Sequence, residues 1–138
     1  MKSMALLIDT NVVLDWLMSR QPFVKESKEV MELCLCGKMT GYLVCHSIPN
    51  ILYIIRKDFS VSERKEIGLM LCEKFNIIGI DKRKVVEALV NEAWDDLEDG
   101  LQIECAYEVN ADYIITRDPK GFVSSKVKSL SPKDFMNL

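Results

Sequence analysis

Met4-Ala-Leu-Leu-Ile8-Asp9 near the start of the chain and Tyr113-Ile-Ile-Thr-Arg-Asp118 near its end share one pattern: a short apolar run with an aspartate at or just past its end. The first run has strand length and no polar residue, as expected of a strand buried on both faces of a parallel sheet. Tyr113 to Thr116 reads the same way, as do Tyr42-Leu-Val-Cys45 and Ile77-Ile-Gly-Ile80, and Val127 to Leu130 supplies a short fifth strand. Helical spacing fills the intervals. Val30, Met31, Cys34 and Leu35 line one face of a helix that begins near Phe23 and stops at Gly37. Ile48, Ile51, Leu52 and Ile55 follow, with Ser47 as N-cap and Pro49 tolerated in the first turn. Ser62 is expected to cap a helix that buries Ile67, Met70, Leu71 and Phe75, and Asp81 one that carries Val85, Leu89, Val90 and Ala93. A further helical pattern opens at Asp96–Asp99, runs through Leu101, Cys105 and Val109 and ends at Asn110, and Pro132 to Met136 forms a last helical turn. Strands alternating with helices predict an α/β fold with a mostly parallel sheet covered on both faces.

With 138 residues, no repeat and no linker-like stretch, the sequence reads as a single domain over residues 1–138. Its 49% hydrophobic and 28% charged residues are ordinary for a water-soluble globular chain. The net charge of −3 argues against a protein that grips nucleic acid through a strongly basic surface, yet allows an enzyme that reaches phosphates through bound metal. No apolar run approaches the ~20 residues of a spanning helix, and Met4 to Ile8 is too short for a secretory core. A cytoplasmic protein without membrane association is therefore expected. The five cysteines are odd in number, form no C-x-x-C pair and have only His46 to help build a zinc site, which predicts free thiols in a reducing compartment. His46 reads as a turn or helix-start residue rather than a base.

In an open parallel sheet, ligands bind beyond the carboxyl ends of the strands, where strand order reverses. Asp9 and Asp118 sit at such ends, and Asp96 to Asp99 opens the helix leading into the fourth strand. Taken singly, each has a plain structural role. An aspartate after a strand often caps a helix, acidic side chains favour helix N-termini, and Asp118-Pro119 is a common turn pair. Together they place several carboxylates at one end of the sheet, where mutual repulsion raises pKa values until a divalent cation relieves it. Hard oxygen donors suit Mg²⁺ or Mn²⁺.

The residues also carry a family resemblance. Leu6-Leu-Ile-Asp-Thr-Asn-Val-Val-Leu-Asp15, with Arg20 and Pro22-Phe23 after it, resembles the opening of a PIN domain, nearest to the bacterial subfamily of VapC-type toxin ribonucleases. Ser47 to Lys57, Asp96-Leu-Glu-Asp-Gly-Leu-Gln102 and Ile115-Thr-Arg-Asp118 with Phe122 resemble the later motifs in order, so the likeness spans nearly the whole chain. It implies a three-layer α/β/α fold with strand order 3-2-1-4-5, which makes strands 1 and 4 neighbours and brings Asp9 to Asp118. It implies a metal-dependent endoribonuclease in which Asp9, Asp99 and Asp118 bind Mg²⁺ or Mn²⁺, joined by Asn50 and by Asp96 as either a ligand-side carboxylate or the helix cap. Thr10, Asn11 and Thr116 would orient these groups or the attacking water. It further implies an RNA substrate, a homodimer, and an antitoxin protein whose segment enters the acidic groove. Two positions depart from the pattern: Asn50 stands where many active relatives carry glutamate, and Gly121 where another acidic residue is expected before Phe122.

Competing readings follow from the same residues. A PIN-like module that binds RNA or a protein without cleaving is favoured by Asn50 and Gly121 and opposed by the retained aspartates. A haloacid-dehalogenase-type phosphatase would need an acidic residue at Asn11, and a phospho-receiver an acidic pair after the first strand. Arg56-Lys57, Arg64-Lys65 and Lys82-Arg-Lys84 read as exposed helix charges, with Arg56-Lys57 the best placed to meet RNA phosphates. Tyr53 is suited to base stacking, to the core or to an interface.

Overall fold

Alternation along the strands decides the layering. In the computed structural model, which describes residues 3–138, Leu6 and Ile8 of β1 (Ala5–Ile8) face one apolar cluster and Leu7 faces another. Ile115 and Ile114 of β4 (Tyr113–Ile115) divide the same way, as do Leu43 and Val44 of β2 (Thr40–Val44). All seven are fully buried, so helices must cover both faces.

One face is covered by α1 (Thr10–Leu17), α2 (Val24–Leu35), α3 (Ser47–Ile54), α4 (Val61–Lys74) and α7 (Pro132–Met136). The other is covered by α6 (Leu97–Glu108), against which α5 (Lys82–Val90) packs. Among the described residues the sheet has five strands in the order β3-β2-β1-β4-β5, all parallel, with β3 at Asn76–Ile78 and β5 at Lys128–Leu130. This is the three-layer α/β/α arrangement and strand order expected. Order reverses between β1 and β4, whose register pairs Ile8 with Ile115 and so sets Asp9 beside Thr116.

Local chemistry explains most boundaries. Asn110 and Gly37 both take positive φ, at 52° and 83°, and end α6 and α2 as expected. Asp81 caps α5 by accepting from the Lys84 amide at 3.0 Å. Other expectations need correction. The cap of α4 is Ser60, in a reciprocal capping box with Glu63, because only that offset lets both side chains reach backbone amides; Ser62 lies inside the helix. Ser47 is the first residue of α3 rather than its cap, and its buried hydroxyl accepts from Thr10 Oγ1 at 2.8 Å. On α5 the inward residues are Ala88 and the stem of Lys84, whose ammonium pairs with Glu108 at 2.9 Å; Leu89 and Val90 face water, and the helix ends before Ala93. α1 follows Asp9 with no break, a helix for which the sequence reading had made no assignment. All five cysteines are free. Among the described residues, no helix is long and apolar enough to cross a membrane.

Candidate functional site

Asp9 ends β1 as the N-cap residue of α1, in extended conformation, and its amide donates to the Ile115 carbonyl at 2.9 Å. Its carboxylate is 8% exposed. Both oxygens are held: Oδ1 accepts from Gln102 Nε2 at 3.0 Å, and Oδ2 from Thr116 Oγ1 at 2.8 Å. Thr116 then accepts from the Asp118 amide at 3.1 Å, so one hydroxyl links the two aspartate-bearing strand ends. These bonds fix where Asp9 points before any ligand arrives.

Asp99 enters from the first turn of α6, one turn before Gln102 and on the same helix face. The cap of that helix is Asp96, whose Oδ1 accepts from the amides of Glu98 at 2.8 Å and Asp99 at 3.3 Å. Capping thus occupies one Asp96 oxygen, although the residue also borders the cavity described next. Burial, and then the negative charges of Asp96, Asp9, Glu98 and Asp118, push the Asp99 carboxyl up to about 6.

These groups meet in an open cavity of about 350 Å³. Asp9, Asp99 and Asp118 border it, as do Asp96, Thr10 and Asn11, so the structure brings the sequence-derived candidates together. Thr116 lies beneath them, fully buried. Asn50, at the end of the first turn of α3, and Ile54, one turn later on that helix, also line the cavity. His46 stands at the start of α3 with Nε2 3.5 Å from Glu98 Oε1, a helix-start residue as expected.

Gly121 has a steric reason. A Cβ built there would lie 2.5 Å from Asp99 Oδ2, so a side chain at this position would require the Asp99 carboxylate to shift.

Gln102 was quoted only as part of a motif, not as a site residue. It is 1% exposed, and its Oε1 has no hydrogen-bond partner among the described residues. A buried amide between Leu101 and Ile103, three residues after an aspartate, is the signal that could have singled it out. Asp15 is a second such residue. It is fully buried at the inner end of α1, and its Oδ2 lies 2.6 Å from Arg117 Nε and its Oδ1 3.7 Å from Arg20 Nη1. Burial raises its pKa against the opposing pull of both guanidiniums. Arg117 sits between Thr116 and Asp118, so this pair ties α1 to the loop that carries Asp118.

The donor set is one of hard oxygens: carboxylates of Asp9, Asp99 and Asp118, the Asn50 amide, and the unpartnered Gln102 Oε1. Among the described residues, no three acidic, histidine or cysteine side chains converge tightly enough to enclose an ion unaided. Such a set suits an ion that keeps several waters and takes one or two carboxylates, which is the habit of Mg²⁺.

The family model of the PIN domain matches residues 5–120. Several solved structures share the fold. A toxin–antitoxin complex from Klebsiella pneumoniae aligns with TM-score 0.67 at 23% identity, covering 92% of this chain and 97% of that one. VapBC2 from Rickettsia felis, bound to a DNA fragment from its promoter, aligns with TM-score 0.66 at 15% identity over 93% and 98% of the two chains. VapC20 from Mycobacterium tuberculosis, described as a sarcin–ricin loop cleaving toxin, aligns with TM-score 0.62 at 8% identity over 79% and 86%. A search of curated protein sequences finds no match.

Proposed function

From the premise that this chain belongs to the PIN domain family, we propose that it is a metal-dependent endoribonuclease, a single domain over residues 1–138 that hydrolyses RNA phosphodiester bonds at the acidic cavity with Mg²⁺ or Mn²⁺. The family is generally one of nucleases. The observation that carries the reading is the gathering of Asp9, Asp99 and Asp118 in one cavity at the strand switch point, with Asp99 pushed up to about 6 first by burial and then by the negative charges around it. Carboxylates crowded to that degree cost stability unless a cation meets them.

The residues divide the work. Gln102 and Thr116 hold both oxygens of Asp9, which keeps its carboxylate oriented without reorganisation. Asp99 carries no such tether on its side chain and adjusts to the ligand. Asp118 and Asn50 complete the donor set, and Thr10 and Asn11 line the same cavity, where they would orient a phosphate or a water. A bound divalent cation would supply Lewis acidity toward the phosphodiester and a more acidic water. RNA as substrate fits the printed description of the Mycobacterium tuberculosis relative as a sarcin–ricin loop cleaving toxin. An antitoxin partner fits the toxin–antitoxin complexes among the structural relatives. A homodimer and a cytoplasmic setting belong to the same reading.

A second reading is a PIN module that binds RNA or protein without cleavage, favoured by the neutral Asn50 and by the absence, among the described residues, of a preformed three-ligand cluster. One assay separates the two. Mixed structured RNAs are incubated with Mg²⁺ or Mn²⁺, with chelator, and with Asp9→Asn. Cleavage that chelator abolishes and Asp9→Asn lowers by orders of magnitude supports the nuclease; undiminished cleavage by the variant overturns the site, and RNA retention without cleavage supports the binding module.

A further inference from the structure

Behind the loop that carries Asp118 lies a second cavity, of about 300 Å³, which shares no lining residue with the acidic one. Its walls are Pro22 and Phe23 before α2, Ser27 on α2, Pro132 on α7, and Arg117. The Arg117 guanidinium lies over the Phe23 ring at 4.3 Å and turns its Nε edge to Asp15 at 2.6 Å. Among the described residues, Arg117 Nε makes no well-formed hydrogen bond despite that close contact, and the fully buried Ser27 Oγ has no hydrogen-bond partner. A guanidinium held by stacking and by one ion pair of poor hydrogen-bond geometry, lining a cavity that a buried unpaired hydroxyl also lines, has the elements of an anion site.

We propose that this cavity binds a small monoanionic carboxylate carried on an apolar or aromatic body, anchored by Arg117 and seen from there by the Thr116–Asp118 loop. Charge sets the valence. Asp15 is one carboxylate shared by two guanidiniums, Arg20 and Arg117, while Lys133 and Glu26 on the rim offset each other. One positive charge is left over, which matches a monoanion better than a phosphate dianion. Shape sets the body: Pro22, Phe23 and Pro132 give apolar walls around few polar groups, the usual make-up of a small-molecule pocket. The planar fork of arginine fits a carboxylate edge in a way that a lysine does not. A carboxylate on Arg117 competes with Asp15 for the residue between Thr116 and Asp118, so occupancy reaches the acidic loop through the backbone. The site does not depend on the nuclease reading.

The test uses benzoate as probe, with benzyl alcohol as its neutral counterpart and inorganic phosphate as the dianion. Isothermal titration should give saturable benzoate binding and none for benzyl alcohol, with Arg117→Lys weakening it at least roughly tenfold. Ser27→Ala deletes only an unpaired hydroxyl and keeps the fold; it should weaken benzoate several-fold, which covers the case in which the Arg117 variant does not fold. In amide correlation spectra, benzoate should shift Thr116 to Asp118. Equal binding of benzyl alcohol, or binding undiminished in both variants, overturns the site. Tighter binding of phosphate overturns the monoanion, and shifts confined to the α7 rim overturn the link to the loop.

Discussion

Replacing Asp99 by asparagine should stabilise the metal-free protein, and only at higher pH. The Asp99 carboxyl is raised from its ordinary value of 3.8 to about 6 in the folded chain, mainly by burial and then by Asp96, Asp9, Glu98 and Asp118. A carboxyl whose folded pKa lies above its unfolded value favours folding while protonated. That contribution is full below the unfolded value and is lost as pH rises through the folded value. Between those limits the native state binds the extra proton, so stability falls with rising pH, and above about 6 the whole penalty is present. A shift of about two units corresponds to roughly 3 kcal/mol as an upper limit. Asp99 is only partly buried, so water screens it, and about 1–2 kcal/mol is the expected remainder. Asparagine keeps the shape and removes the charge. Urea midpoints in chelator, followed from about pH 4 to about pH 8 for both proteins, should coincide at the acid end and diverge through the titration, with the variant more stable. A difference that stays constant over the range would refute the electrostatic account, because a packing effect does not titrate. Adding Mn²⁺ should reverse the order at neutral pH, since the wild-type carboxylate then has a cation to meet.

Gln102→Leu removes the donor to Asp9 together with the unpartnered Oε1 at nearly constant volume; thermal melts should change little, while Mn²⁺ affinity by titration should fall roughly 10–100-fold. Gly121→Ala puts a methyl 2.5 Å from the present position of Asp99 Oδ2, so the carboxylate must shift and Mn²⁺ binding and cleavage should both drop with the fold retained; unchanged affinity would show that Asp99 is not held there. Asn50→Glu should tighten Mn²⁺ binding while lowering apo stability at neutral pH; tighter binding without the stability loss would place Asn50 away from the other carboxylates.

The sheet was legible because its strands are buried on both faces, and such strands show as uninterrupted apolar runs: Leu6-Leu-Ile8 and Tyr113-Ile-Ile115 stand where the sequence put them. So were the helix stops at Asn110 and Gly37, where positive φ demands particular residues. α1 escaped because Val12, Val13 and Leu14 are consecutive and all buried, which gives no single apolar stripe to read. The inward face of α5 was misread for the opposite reason. Leu89 and Val90 look like core residues, but the buried surface there is made by Ala88 and the stem of a lysine paired across to α6. The three aspartates were legible because strand ends collect ligands. Their supports were not, since Gln102 and Arg117 acquire meaning only when α6 and the β4 loop fold back onto Asp9 and Asp15, partners 93 and 102 residues distant in the chain.

Asn50 and Gly121, the two departures from the family pattern, answer one physical problem. Burial, and then the negative charge the cavity already gathers, hold Asp99 at about 6, so each further carboxylate would raise the cost of the metal-free state. At the α3 wall an amide offers a ligand oxygen without adding to that repulsion. At position 121 a Cβ would lie 2.5 Å from Asp99 Oδ2, so an acidic residue there would make the Asp99 carboxylate shift and then add its own charge beside it. Both positions therefore shift the balance in the same direction, toward a tolerable apo protein and a weaker grip on the cation. If the cleft is a nuclease site, that balance makes activity steeply dependent on free metal, because the fold supplies orientation at Asp9 but leaves much of the charge compensation to the ion.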